Sequence, residues 1–524
     1  MKKAMRFLVL LLVTVLIFAS CASSDTGPSN TQDVNEVSGA AKPADDDGNG
    51  ASGWLEEPSE ERDGYGDRYI DLSGEKYLTI SENEVILTGD EPTLTFSLKV
   101  DTSAYTNVVR YIESGNTPPK DAVKIEEMLN YFNYEAEMEF DGDSPFAIYT
   151  EVGQSPFDSS KYMAMVRVKT KDIDKSDLPP SNLTFLIDTS GSMSSYDKLP
   201  LLMESFGLLV ESLNEDDMVS IVTYAGSSGV LLDSVSGADR NRIMNAINSL
   251  SAGGSTAGAE GIQTAYALAE KNYVEGGNNR VILASDGDFN VGISDLDELE
   301  AFIGEKRDSG VYLSVLGFGT GNIRDDIMET LAKSGNGNYS YVNTLETANK
   351  ILVEEMGSTL YTIAEDVKAQ VEFDRDLVKG YRLIGYENRM LSNEDFEDDA
   401  VDAGEIGIGT DVVVLFEIEP YSNDAAGDHS LFEVRIRYKN PGENTSNLLA
   451  RPVSYDQIKE DNSKDFIFAC SVAVFGHVLR DSNYLGETTL DDALSLAKAG
   501  LGKDEAGYKL EYILLLTRYI EMFS

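Results

Sequence analysis

The sequence of 524 residues contains only two cysteines, two histidines and one tryptophan. So few cysteines and histidines exclude a disulfide scaffold, a Cys-rich zinc site and a c-type haem site. Basic residues are also scarce, with 42 Lys and Arg against 91 Asp and Glu, for a net charge of −49. Such a chain is not built for nucleic acid, because phosphate binding needs cationic side chains that release counterions. Nor is it built for a polybasic hold on anionic lipid. Beyond the first twenty residues no segment reaches 18 consecutive apolar residues, so attachment to a membrane is expected through a lipid rather than a spanning helix. What is present is 42% apolar residues, enough for sizeable cores. The length suggests two to four domains of about 100–200 residues each.

Residues 1–20 read as a signal peptide. Lys2, Lys3 and Arg6 form a basic start, and residues 7–18 are apolar except for Thr14. That run suits a signal segment better than a membrane span. Phe18-Ala-Ser-Cys21 then resembles a bacterial lipobox, with Phe18 where leucine is usual. The resemblance implies cleavage before Cys21 and a diacylglycerol on its thiol. An ordinary secretion signal with an incidental cysteine is the alternative. Lipidation of Cys21 leaves Cys470 as a free thiol, expected as buried packing in an apolar helical stretch. Residues 21–66 are rich in Ser, Asp, Gly, Asn, Glu and Pro and nearly empty of aliphatics, which reads as a disordered acidic tether. A coil of that length spans roughly 35–40 Å. Its Asp45-Asp-Asp-Gly-Asn-Gly50 cluster lacks the rest of a calcium loop.

Three folded regions follow. Residues 67–180 combine expected strands at 93–100, 147–152 and 162–169 with helices at 105–114 and 120–133. Tyr131, Phe132 and Tyr134 are expected to finish the core-facing side of the second helix. Residues 181–356 alternate strand and helix, which implies an α/β fold with a doubly wound, mostly parallel sheet. Residues 357–462 are β-rich and residues 463–524 helical. Neither flank of the middle region has enough strands for an independent sandwich. The strands before 180 and after 365 are therefore expected to pair, with the α/β region inserted between them.

The chemistry lies at the strand ends of the middle region. The apolar strand 183–187 runs into Asp188-Thr-Ser190-Gly-Ser192-Met. A second loop, Gly253-Gly-Ser-Thr256-Ala-Gly, precedes a helix, and a third, Ser285-Asp286-Gly-Asp288, follows a buried-type strand. In an open α/β sheet such loops gather in one crevice at the carboxyl ends of the strands. There Asp188, Ser190, Ser192, Thr256 and Asp286 converge as hard oxygen donors. That set suits Mg²⁺ or Mn²⁺, with Ca²⁺ less favoured. One coordination position is expected to stay open to an incoming carboxylate. Asp288 is expected to shape its loop, and Asp217 to be a solvated turn residue.

Asp-x-Ser-x-Ser, the Thr in a Gly-rich loop and the later Ser-Asp-Gly resemble the metal-ion-dependent adhesion site of von Willebrand factor type A (vWA) domains. The likeness extends to the bacterial vWA lipoproteins of the YfbK-like family. It runs through Phe96-Ser-Leu-Lys-Val-Asp-Thr-Ser-Ala-Tyr-Thr-Asn-Val108, Pro118-Pro-Lys-Asp-Ala-Val-Lys-Ile-Glu-Glu-Met-Leu-Asn-Tyr-Phe132, Gly276-Gly-Asn-Asn-Arg280, Gly335-Asn-Gly-Asn-Tyr339 and Tyr381-Arg-Leu-Ile-Gly-Tyr-Glu-Asn-Arg389. It covers residues from about 90 to 520. It implies the vWA fold, a divalent-metal site and a protein-binding role.

Catalytic readings fare poorly. A dehalogenase-type phosphatase needs a second Asp where Ser190 stands, and a Ser–His–Asp hydrolase needs a histidine base. The only two histidines are His429, expected in a loop, and His477, expected in the helical core. The segment from Gly253 ends in Ala257, where a nucleophile elbow has Gly. A metal-dependent hydrolase is a minor alternative without a base placed to serve it. The expectation is a lipid-anchored, extracytoplasmic, non-enzymatic protein of the cell envelope. It would bind a partner's Asp or Glu through the metal for adhesion or complex assembly. The competing expectation is a scaffold whose metal loop contacts its own flanking domains.

Overall fold

The computed structural model describes residues 74–523, apart from 100, 143, 175–176, 226, 255–257, 288–295 and 422–429. The signal segment, Cys21, the tether, Thr256, Asp288 and His429 lie outside the described residues. The first block holds β1 (Ile86–Leu87), β2 (Thr93–Ser97), α1 (Ser103–Glu113), α2 (Ile125–Asn130), β3 (Phe146–Gln154) and β4 (Tyr162–Thr170). The second starts with β5 (Ser181–Asp188), α3 (Leu199–Ser212), β6 (Met218–Ala225), β7 (Ser227–Ser236), α4 (Arg240–Asn248) and α5 (Gly258–Lys271). It continues with β8 (Asn278–Ser285), α6 (Leu296–Asp308), β9 (Tyr312–Phe318), α7 (Asp325–Ser334), β10 (Tyr339–Val342), α8 (Leu345–Asn349) and α9 (Met356–Leu360). The third holds β11 (Thr362–Phe373), β12 (Val378–Ile384), β13 (Met390–Leu391), β14 (Ile406–Gly407), β15 (Asp411–Pro420), β16 (Ser430–Lys439) and β17 (Asn447–Ser454). Helices α10 (Lys464–Arg480), α11 (Leu490–Ala499) and α12 (Tyr508–Phe523) close the chain.

The second block forms a six-stranded sheet in the order β10-β9-β8-β5-β6-β7. Every pair is parallel except β6–β7, an antiparallel edge. Successive residues of β5 point to opposite faces. Leu183, Phe185 and Ile187 pack with Leu202, Phe206 and Leu209 of α3, while Leu186 packs with Ile262 and Tyr266 of α5. Burial on both faces is why this strand reads as an apolar run interrupted only by Thr184 between residues 183 and 187. From β5 the chain moves outward to β6 and later returns on the other side to β8, which makes β5 the switch point of the sheet.

The flanks do pair. One antiparallel sheet runs β1-β12-β15-β4-β3 and the other β13-β2-β11-β16-β17, each built from strands on both sides of the α/β block. The two sheets share a core that includes Phe96, Val166, Val371, Leu383, Val414 and Phe416. The α/β domain is thus an insertion between β4 and β11. Strand β15 also works on two faces: Val412, Val414 and Phe416 join the sandwich, while Val413 and Leu415 join a helical layer with Met128, Phe468 and Val472. Tyr131, Phe132 and Tyr134 are buried in that layer, with the Phe132 ring 4.9 Å from Phe468 and 5.5 Å from Tyr512.

Four features differ from expectation. Residues 120–133 are not one helix: a 3₁₀ turn Lys120–Ala122 is followed by non-helical Val123 and extended Lys124 before α2. The break lets Lys124 turn its ammonium into a buried cluster, 3.1 Å from Asp325, 2.7 Å from Glu329 and 3.4 Å from Glu127. Within the β-rich region 357–462, whose expected strands are 367–373, 381–386, 411–419 and 431–438, the structure adds β17, an edge with Pro452 in it and little apolar alternation to mark it. The strand–helix alternation expected to 356 does not close on one regular helix: after β10 come α8, a π-turn Lys350–Glu354 and α9. Asp217 is buried, not solvated, and accepts from the backbone N–H of Ser181 at 2.8 Å and of Asn214 at 2.7 Å. It ties the entry of β5 to the turn before β6.

Candidate metal centre at the strand ends

Strand β5 delivers Asp188 at its last position, and the chain then turns through a 3₁₀ segment, Gly191–Ser194. The turn folds back on its own acid. The backbone N–H of Ser190 donates to Asp188 Oδ1 at 2.8 Å, and the Ser190 and Ser192 hydroxyl oxygens lie 2.8 Å apart. Strand β8 lies beside β5, so its last residue, Ser285, reaches Asp188 Oδ2 with its hydroxyl at 3.3 Å. Asp286 follows directly. Asp188, Ser190 and Asp286 are buried, whereas Ser192 is exposed. The cluster therefore opens at one corner.

The glycine loop is pinned to the same turn. Gly253 N–H donates to Thr189 O at 2.8 Å, and Gly191 N–H to Gly254 O at 3.3 Å. Gly254 has φ +93°, a conformation that favours glycine. These bonds bring the start of the Thr256 loop against the Asp188 loop. The structure thus assembles Asp188, Ser190, Ser192 and Asp286, while Thr256 itself lies outside the described residues.

Burial pushes the Asp188 carboxyl up to about 6, against the hydrogen bonds from Ser190, and the Asp286 charge acts in the same direction. Two carboxylates that disfavour each other's charge favour a cation. Every side-chain donor in this set is a carboxylate or hydroxyl oxygen, the chemistry of a hard divalent ion. These residues fit such an ion.

One charged residue at the site was not legible in the sequence. Lys198, just before α3, places Nζ 2.8 Å from Asp286 Oδ2 and 3.2 Å from Asn322 Oδ1. Its side chain is nearly buried, and that of Asp286 fully so. Nothing in the sequence around Lys198 marks a partner that lies 88 residues away. His477 sits in α10 within the helical layer, with Nδ1 2.8 Å from Ala473 O and Nε2 3.2 Å from an Arg382 nitrogen. Burial, with Arg382 adding to it, holds its pKa down to about 3.

An open parallel sheet carrying acidic and hydroxyl loops at its switch point is the architecture of a vWA-domain protein. The family model "von Willebrand factor type A domain" matches residues 182–354, "von Willebrand factor" matches 71–165, and "Uncharacterized protein YfbK, C-terminal" matches 358–522. The chain is 41% identical over 464 residues to the protein YfbK of Escherichia coli K12, covering 84% of this chain and 80% of that one. It belongs to the YfbK family. A second relative, sll0103 of Synechocystis, is 25% identical over 303 residues, covering 56% of this chain and 70% of that one. Among solved structures, a von Willebrand factor type A protein from Catenulispora acidiphila matches with a TM-score of 0.40 at 14% identity, covering 70% of this chain and 89% of that one.

Proposed function

We propose that this vWA-domain protein binds a protein partner through a divalent ion held by Asp188, Ser190, Ser192, Thr256 and Asp286, with a partner Asp or Glu completing the coordination. Mg²⁺ or Mn²⁺ is the proposed ion, ahead of Ca²⁺. The observation that carries this reading is the pairing of two buried carboxylates, Asp188 and Asp286, with a hydroxyl pair that reaches the surface at Ser192. Tyr196, four residues beyond Ser192 in sequence, is 76% exposed. The role is binding rather than catalysis. The basic start, the apolar run and Cys21 support an extracytoplasmic protein held at a membrane by lipid, in adhesion or envelope complex assembly.

One observation favours the scaffold as a second reading. The segment at 74–77 lies along the loop that carries Asn322. Gly321 N–H donates to Glu75 Oε1 at 3.0 Å, and Lys76 N–H to Ile323 O at 3.0 Å. The metal loops therefore have a physical route to the protein's own flank.

The test is calorimetric titration of Mg²⁺, Mn²⁺ and Ca²⁺ into the protein and into Asp188→Ala. Saturable Mg²⁺ or Mn²⁺ binding that disappears in the folded variant is expected. Equal binding by both proteins places the ion elsewhere and overturns the assignment.

A further inference from the structure

The metal reading leaves Lys198 unexplained. A buried ammonium is costly unless it is paired and hydrogen-bonded. Lys198 has both, from Asp286 and Asn322. Its stem also lies in a slot that only glycine permits. Gly319 has φ +79°, and a Cβ there would stand 2.3 Å from Lys198 Cε and 2.4 Å from Cγ. The slot wall is fastened in turn: the Tyr341 hydroxyl donates to Gly319 O at 2.7 Å, and Glu75 holds Gly321. Three separate features thus place one positive charge against one of the two carboxylates of the centre.

We propose that Lys198 is a fixed counter-charge that sets what the centre accepts. A divalent ion balanced by Asp188 and Asp286 alone is neutral and has little need of a further anion. With the Lys198 ammonium kept on Asp286, one positive charge remains. The centre then binds the bare cation less tightly and the carboxylate of a ligand more tightly. Lys198 acts here as a positioning and selectivity residue, through Asp286, without touching the ligand. This rests on the metal-centre assignment above.

The test uses the full chain and Lys198→Met, which keeps the stem in its slot and removes the charge. Mn²⁺ is titrated into each, followed by acetate into the Mn²⁺-loaded proteins. The methionine variant is expected to bind Mn²⁺ about tenfold more tightly and acetate about tenfold more weakly, the size expected from one nearby charge. Lys198→Arg is expected to behave like the unaltered protein. A purely structural role weakens both affinities and overturns the proposal. So does tighter Mn²⁺ binding with unchanged acetate affinity. If the unaltered protein binds Mn²⁺ and the variant binds it no more tightly, the proposal falls and the metal centre stands. If neither protein binds Mn²⁺, both fall. Binding by the variant alone overturns the proposal, because the unaltered centre then holds no ion to present to a carboxylate. Asn322→Asp provides a second variant that does not depend on repacking the lysine: by adding a negative charge beside Nζ it is expected to tighten Mn²⁺ binding, and no change in that affinity overturns the proposal.

Discussion

Glu405 shows how a single side chain can set a pH dependence. Its carboxylate is buried, and Oε1 has no hydrogen-bond partner among the described residues. Burial, followed by the charges of Asp402, Asp366 and Glu365 and opposed by Lys99, pushes its pKa up to about 8. The unfolded value is near 4.5, so the folded state holds the proton more tightly. This group's contribution to stability is full below about 4.5 and is lost as pH rises toward about 8. Glu405→Gln mimics the protonated form. Denaturant unfolding at a series of pH values is expected to show the variant gaining on the unaltered protein across that window. A constant difference between the two refutes this account.

At the scale of elements, α10 is the helix that joins the layers. It packs Phe468, Val472 and Phe475 into the helical core. Its Ser471 hydroxyl donates to Ala493 O of α11 at 2.7 Å. Gly476 lies where a Cβ would meet Ile125 Cγ1 at 2.6 Å, so the helix seats closely on α2. Cys470 lies on the same helix, wholly enclosed, and burial raises its thiol pKa far above the ordinary range. In a Cys21→Ser background, Cys470 is expected to resist a thiol-reactive disulfide reagent at neutral pH and to react fully in denaturant. Rapid reaction of the folded protein refutes the enclosed packing.

At the scale of the whole molecule, the inserted α/β domain is bound to its host by buried charge as well as by its two chain crossings. Lys124 comes from the first block, while Asp325 and Glu329 come from α7 of the insertion. Arg389 adds contacts to Asp101 at 2.7 Å and Glu329 at 3.1 Å. Removing one partner from such a cluster leaves buried charges uncompensated, at a cost of about 3–5 kcal/mol. Lys124→Met is therefore expected to lose about that much stability in denaturant unfolding monitored by tryptophan-independent far-UV signal. A loss below about 1 kcal/mol means the cluster is solvated or rearranges.

What the sequence by itself determined is local or periodic. The largely apolar run of β5 and the strand–helix rhythm around it announce a two-faced parallel sheet, because a strand buried on both faces is mostly apolar along its length. Asp188, Ser190 and Ser192 were legible as one cluster because they share a single turn, and Asp286 because it follows a strand. The pairing of the flanks was legible from their shortage of strands. Only the tertiary structure decided the rest. Lys198 meets Asp286 across 88 residues, Lys124 meets Glu329 across 205, and Asp217 meets the Ser181 N–H across 36. A charged side chain on its own reads as solvated. Its burial depends on which distant carboxylate or amide the fold brings to it, and that choice is made by sheet order and domain insertion rather than by the residues beside it in sequence.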